Sequence, residues 1–172
     1  MRDAVDSYEA FIAGKTHTGT NDGFEPIEVP DFLFDFQKAL VDWSVRKGRA
    51  AVFADCGMGK SVIQLAWADN VVRKVNRPVL ILTPLAVSGQ MAREAERFGI
   101  DASLALDGKL RPGINIANYE RLHYFDPADF AGAVCDESAI LKSFDGATRQ
   151  EITDFMRKLR YRLLCTATPS PN

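Results

Sequence analysis

Arg49-Ala50-Ala51-Val52-Phe53, then Ala54-Asp55-Cys56-Gly57-Met58-Gly59-Lys60-Ser61, then a run to Val75, is the stretch of sequence that decides the fold. The first five residues read as a buried strand. Residues 60–75 read as a helix, with Ile63, Ala66, Trp67 and Val71 at helical spacing. Gly57 and Gly59 between them let the backbone curl so that several N–H groups point inward at a phosphate. The helix N-terminus adds a partial positive charge. Lys60 brings a full charge to the β- and γ-phosphates, and the Ser61 hydroxyl can ligate Mg²⁺. The strict phosphate-loop pattern has Gly where this chain has Ala54. A plain Gly-rich turn with an exposed lysine is the competing reading, and the position of Gly-x-Gly-Lys-Ser between strand and helix weighs against it.

Outward from this stretch, strands and helices alternate. Upstream, Asp35 is placed to cap a helix through Phe36, Leu40 and Trp43, with Gly48 past its end. Downstream, strands are expected at residues 78–82, 103–106, 113–117, 131–135 and 161–165, and helices at 86–98 and 147–159. Pro78-Val79-Leu80-Ile81-Leu82 is apolar throughout, as in a strand covered on both faces. The pattern predicts an α/β fold with a mostly parallel central sheet and helices on both faces. Residues 14–30, rich in Gly, Thr, Asn, Asp and Pro, predict an irregular arm, so the expected division is an N-terminal arm over 1–30 and one domain over 31–172.

In open sheets of this kind ligands bind beyond the carboxyl ends of the strands. After the strand ending at Cys135 come Asp136-Glu137-Ser138-Ala139. Asp136 can hold Mg²⁺ directly or through water, and Glu137 can orient and deprotonate an attacking water. An acidic pair at a strand end is also a common helix cap, and it is the phosphate loop upstream that raises its significance. Mg²⁺ keeps several waters and takes few protein ligands, which fits Ser61 and Asp136. Thr166-Ala167-Thr168-Pro169 follows the last strand and by itself reads as a turn.

The chain has 172 residues, enough for one sizeable core, and its net charge of −2 excludes a whole-surface attraction to nucleic acid. Contact with DNA or RNA would need a local patch. No apolar run approaches the ~18 residues of a membrane span, and the polar, acidic start Met1-Arg2-Asp3-Ala4-Val5-Asp6 is unlike a secretory signal, which together favour the cytoplasm, with no membrane partner. Cys56, Cys135 and Cys165 are far apart and expected to be small buried residues at strand ends. Phe32-Leu33-Phe34 and Trp43 are expected in the core. The basic stretches 46–49 and 157–162 are expected mainly to solvate the surface.

Together these motifs resemble the first motor domain of superfamily-two helicases and translocases, in their Swi/Snf-like branch. Phe36-Gln37 looks like the Q motif, and Ala54 to Ser61 matches the A-x-x-G-x-G-K-[ST] form of that superfamily, which accounts for Ala54. Leu82-Thr83-Pro84-Leu85, with Gln90 and Glu94, resembles motif Ia. Ile116-Ala117-Asn118-Tyr119-Glu120 resembles motif Ib. Asp136-Glu137-Ser138-Ala139, with Leu141-Lys142, resembles the DES form of motif II, and Thr166-Ala167-Thr168-Pro169 resembles motif III. The likeness covers Asp31 to the end and is strongest to helicase-like proteins of bacteriophages and prophages of the DEAD/DEAH type.

The resemblance implies a RecA-like P-loop fold and ATP with Mg²⁺ as cofactors. It implies ATP contacts from Gln37, Gly57, Met58, Gly59, Lys60 and Ser61, with Gln37 reading the adenine edge. Ser61 and Asp136 would hold the metal, Lys60, Asp136 and Glu137 would be catalytic, and Thr166, Ala167 and Thr168 would couple the ATP site to the track. DNA, double-stranded as the first choice, would be gripped through Thr83, Pro84, Asn118, Tyr119 and Arg121. Ala139 departs from the polar residue of other branches, which shifts the expected coupling to Ser138 or the Thr166 and Thr168 hydroxyls. The sequence stops after motif III, so the second motor domain with its arginine finger is expected from elsewhere, and this chain alone is expected to bind ATP weakly and hydrolyse it poorly. Two other readings fit the residues: a nucleotide-gated nucleic-acid-binding module without efficient hydrolysis, and a P-loop ATPase unrelated to nucleic acid.

Overall fold

The computed structural model describes residues 21–142 and 144–167. The expected arm through residue 20, with Thr168 and Pro169, lies outside the described residues. The order of elements is α1 (Asp35–Lys47), β1 (Arg49–Phe53), α2 (Lys60–Val75), β2 (Val79–Thr83), α3 (Ser88–Arg97), β3 (Ala102–Leu104), β4 (Ile114–Asn118), β5 (Gly132–Cys135), α4 (Gly146–Arg157) and β6 (Tyr161–Thr166). Short 3₁₀ turns cover Tyr119–Tyr124, Pro127–Asp129 and Ser138–Lys142.

The six strands form one sheet in the order β1-β6-β5-β2-β4-β3, and every pairing is parallel. Each strand of β2, β4 and β5 is buried throughout. Alternation along β2 explains why its run has no polar position before Thr83. Val79 and Ile81 join the core beneath α1, α2 and α3, whereas Leu80 and Leu82 join the core beneath α4 and the Tyr119–Tyr124 turn. The α/β sheet with helices on both faces is therefore as the alternation of elements predicts.

Helix α2 is buried without interruption from Val62 to Ala68, so it is a central helix rather than an amphipathic surface one. Trp67 is fully buried and donates from its indole nitrogen to the Ser44 carbonyl at 3.3 Å, tying α2 to α1. Several expectations are corrected. Phe32, Phe34 and Trp43 are exposed, and of the Phe32–Phe34 run only Leu33 is in the core. Cys135 and Cys165 are buried, but Cys56 is exposed because it lies on the loop between β1 and α2, beyond the sheet. Asp35 is the first helical residue and not the cap. Gln37 takes over that task, its side-chain oxygen accepting from the Phe34 N–H at 3.0 Å. Backbone just before Asp31 also meets α2. The Asn70 side-chain oxygen accepts from the Ile27 and Glu28 N–H groups, and its amide donates to the Glu28 carbonyl. These bonds satisfy extended backbone that would otherwise be left unpaired against α2.

Candidate nucleotide site

The register places four strand ends side by side: Phe53 opposite Thr166, Cys135 opposite Leu164, and Leu82 opposite Cys135. The loops that leave these ends therefore meet above the sheet, although they start as far as 113 positions apart in sequence (54 against 167).

The loop after β1 turns on Gly57 at φ 83° and Gly59 at φ 71°, both left-handed. A Cβ at Gly57 would meet nothing within 4 Å, but one at Gly59 would sit 2.4 Å from the Gln37 amide nitrogen. That nitrogen donates to the Met58 carbonyl at 3.1 Å, so Gln37 braces the loop from α1. Gly57→Ala is expected to cost about 1–2 kcal/mol from backbone strain. Gly59→Ala carries the same strain and also displaces Gln37, so its nucleotide affinity and thermal midpoint should both fall further. Equal losses in the two variants, read by melting and by nucleotide titration, would count against Gln37 as the brace.

Lys60 opens α2 with its ammonium donating to the carbonyls of Ala54 at 2.9 Å and Asp55 at 3.3 Å. The side chain folds across the loop that it would leave on meeting a phosphate. Ser61 is half-buried at the same helix end, and Met58 is exposed. Beside the loop lies a cavity of about 360 Å³ lined in part by Phe34, Gln37, Gly57, Gly59 and Arg97. Gln37 is engaged on both sides of its amide, and these two bonds use one of its two N–H groups and one of its two acceptor lone pairs.

Asp136 is 7 % exposed. Gln64 donates to its Oδ1 at 2.6 Å and the Thr83 hydroxyl to its Oδ2 at 3.2 Å. Burial pushes the Asp136 carboxyl above the usual carboxylate range, and those two hydrogen bonds pull it partly back. The Tyr119 hydroxyl donates to the Asp136 backbone carbonyl at 2.7 Å. Glu137 has a left-handed backbone, φ 49°, which is uncommon for a non-glycine residue. Its Oε1 accepts from the Thr166 hydroxyl at 2.8 Å, so the carboxylate is held over the end of β6. Among the described residues no group of three or more His, Cys, Asp or Glu could cage a metal. The donors present, one buried carboxylate and the Ser61 hydroxyl beside an open anion-binding loop, fit a cation that takes most of its oxygens from phosphate and water.

Of the residues expected to grip nucleic acid, Thr83, Asn118 and Tyr119 face inward. Thr83 is fully buried with its hydroxyl on Asp136, Tyr119 is buried against the same residue, and the buried Asn118 side-chain oxygen has no hydrogen-bond partner. The Thr83 and Tyr119 hydroxyls are thus taken up by Asp136, and Pro84 and Arg121 are half-buried at the surface, with Arg121 donating to the Leu106 carbonyl. Ala167 is half-buried beyond β6, and Thr168 lies outside the described residues. The basic stretches are engaged at the surface: Arg46 with Asp42 and Glu25, Arg49 with Asp22, Arg157 with Asp154. Gln64 is the residue that motif reading missed. Its signal was a polar side chain within the apolar run Ile63 to Ala68.

No family model matches the sequence, and no curated protein matches it. Solved structures do. The UvsW helicase of bacteriophage T4 superposes with a TM-score of 0.68 at 15 % identity, covering 94 % of this chain and 60 % of that one. The SWI2/SNF2 ATPase core of Sulfolobus solfataricus in complex with dsDNA gives 0.69 at 20 % identity, over 85 % of this chain and 34 % of that one. The Type ISP restriction-modification enzyme LlaGI, as a nuclease-deletion mutant with a DNA substrate mimic, gives 0.63 at 14 % identity, over 81 % and 18 %. The chain thus spans between about a fifth and three fifths of these proteins. What this likeness shows is the fold alone: a RecA-like α/β sheet, parallel throughout, shared with these helicase and SWI2/SNF2 ATPase structures.

Proposed function

We propose that the chain is the ATP-binding first motor domain of a DNA-dependent ATPase of the helicase or translocase type, working in the cytoplasm of a bacterial or phage-infected cell. The observation that carries this reading is the convergence at adjacent strand ends of the Gly57–Ser61 loop, buried Asp136, and Glu137 held by Thr166. ATP phosphates would lie on the loop N–H groups and Lys60, with the base toward Gln37. Ser61 and Asp136 would hold Mg²⁺, which neutralises charge on the phosphates when bound. Glu137 would accept the proton of an attacking water as the water moves in line with the γ-phosphoryl group.

Duplex DNA is the proposed track, supported by the dsDNA complex of the Sulfolobus solfataricus core. Its contacts would come from Pro84, Arg121 and the backbone N–H groups of the loops at Thr83 and Asn118, which suit a sugar-phosphate grip without base preference. A second RecA-like domain, on a longer chain or a partner, would supply an arginine finger worth a factor of ~10³–10⁵ in related hydrolases. The test is the ATPase rate with and without duplex DNA, for this chain and for a chain that also carries a second motor domain. DNA should stimulate the two-domain form by at least about tenfold. A two-domain form that stays inactive with DNA rejects the motor, and a fast rate indifferent to DNA favours a P-loop ATPase unrelated to nucleic acid.

A further inference from the structure

Helix α2 carries more than Lys60 and Ser61. Gln64, one turn further on, is fully buried and donates to Asp136 Oδ1 at 2.6 Å, while its own side-chain oxygen has no hydrogen-bond partner. Packing does not account for a glutamine here. Its neighbours Val62, Ile63, Leu65, Ala66, Trp67 and Ala68 are apolar and buried, and a leucine or methionine would fill the same volume without an orphaned oxygen. The carboxylate does account for it, because an ionised carboxylate only accepts and a carboxamide N–H is the neutral donor that reaches it. Thr83 holds the other oxygen from the β2 side at 3.2 Å. One acceptor direction on each Asp136 oxygen is thereby used, and the plane of the carboxylate is set from two elements.

We propose that Gln64 is a positioning residue that, with Thr83, fixes the Asp136 carboxylate in the orientation required by the Mg²⁺ of bound nucleotide. This rests on the nucleotide site argued above. Because Gln64 shares α2 with Lys60 and Ser61, the helix that receives the phosphates also sets the metal-facing carboxylate, and the two halves of the site are held at a constant spacing. Gln64 touches neither nucleotide nor metal in this arrangement.

The test is titration of the 172-residue chain with a fluorescent ATP analogue, in excess Mg²⁺ and in EDTA, and of the Mn²⁺ concentration needed for half-maximal binding. Gln64→Leu and the more flexible Gln64→Met should keep the EDTA-state affinity and raise the Mn²⁺ midpoint by about tenfold, the size expected for one lost charge-assisted hydrogen bond. Thr83→Val should move the midpoint in the same direction and Thr83→Ser should restore it. An unchanged midpoint in both Gln64 variants overturns the proposal and leaves the nucleotide site standing. Equal weakening with and without metal also overturns it, since that marks a packing role. A wild-type chain whose nucleotide binding ignores Mg²⁺ and Mn²⁺ overturns the site and the proposal together.

Discussion

Glu137→Gln is expected to leave ATP binding within about twofold of wild type and to lower DNA-stimulated turnover by roughly 10²–10⁴, the range for losing a general base. The geometry makes this a clean substitution. Thr166 donates to Glu137 Oε1 at 2.8 Å, and a glutamine oxygen in the same place still accepts that bond. The left-handed backbone at residue 137 is a property of the loop and is as costly for Gln as for Glu. What disappears is the ability to take a proton. Single-turnover phosphate release from the two-domain protein, beside titration with a fluorescent ATP analogue, separates the two effects. Undiminished hydrolysis in Glu137→Gln removes the residue from the base role. A parallel loss of binding would place its carboxylate in ground-state contact instead.

Lys60→Ala is expected to weaken nucleotide binding at least about 100-fold. Hydrogen bonds to charged groups contribute roughly 1.5–3 kcal/mol each, and a phosphate-loop lysine makes such contacts with the β- and γ-phosphates. A second consequence follows from the Lys60 ammonium bridging the Ala54 and Asp55 carbonyls. In the nucleotide-free protein those contacts help shape the loop, so Lys60→Ala should also loosen it, seen as faster amide exchange at residues 55–59. Adding nucleotide to wild type should slow that exchange as the N–H groups close on phosphate. Tight nucleotide binding by Lys60→Ala would sink the phosphate-loop assignment, whatever the loop exchange shows.

A sequence that carries its chemistry in contiguous runs is open to local reading, and much of this site is of that kind. Gly57 and Gly59 fall where the backbone turns left-handed, Lys60 begins α2, and Asp136-Glu137 follows β5. The apolar runs of β2 and β5 announced burial on both faces, and the sheet bears this out. Those features depend on periods of two and of 3.6 residues and on steric rules for single residues, all of which act within a few positions.

Contacts around the acidic pair are of another kind. Gln64 and Asp136 are 72 positions apart, Thr83 and Asp136 are 53 apart, and Thr166 and Glu137 are 29 apart. They meet because β5 is placed between β6 and β2, a strand order set by the burial of all faces at once and not by any spacing along the chain. The same global choice turned Phe32, Phe34 and Trp43 outward and gave the Thr83 and Tyr119 hydroxyls to Asp136 instead of to a nucleic-acid strand. By itself, then, the sequence determined the parallel α/β class, the left-handed glycine loop before α2 and the acidic pair at the end of β5, because each is encoded by near neighbours. Which side chains orient that pair, and which residues of the Thr83 and Asn118 segments stay at the surface, was decided only by tertiary structure, where side chains distant in sequence meet at the same buried carboxylate.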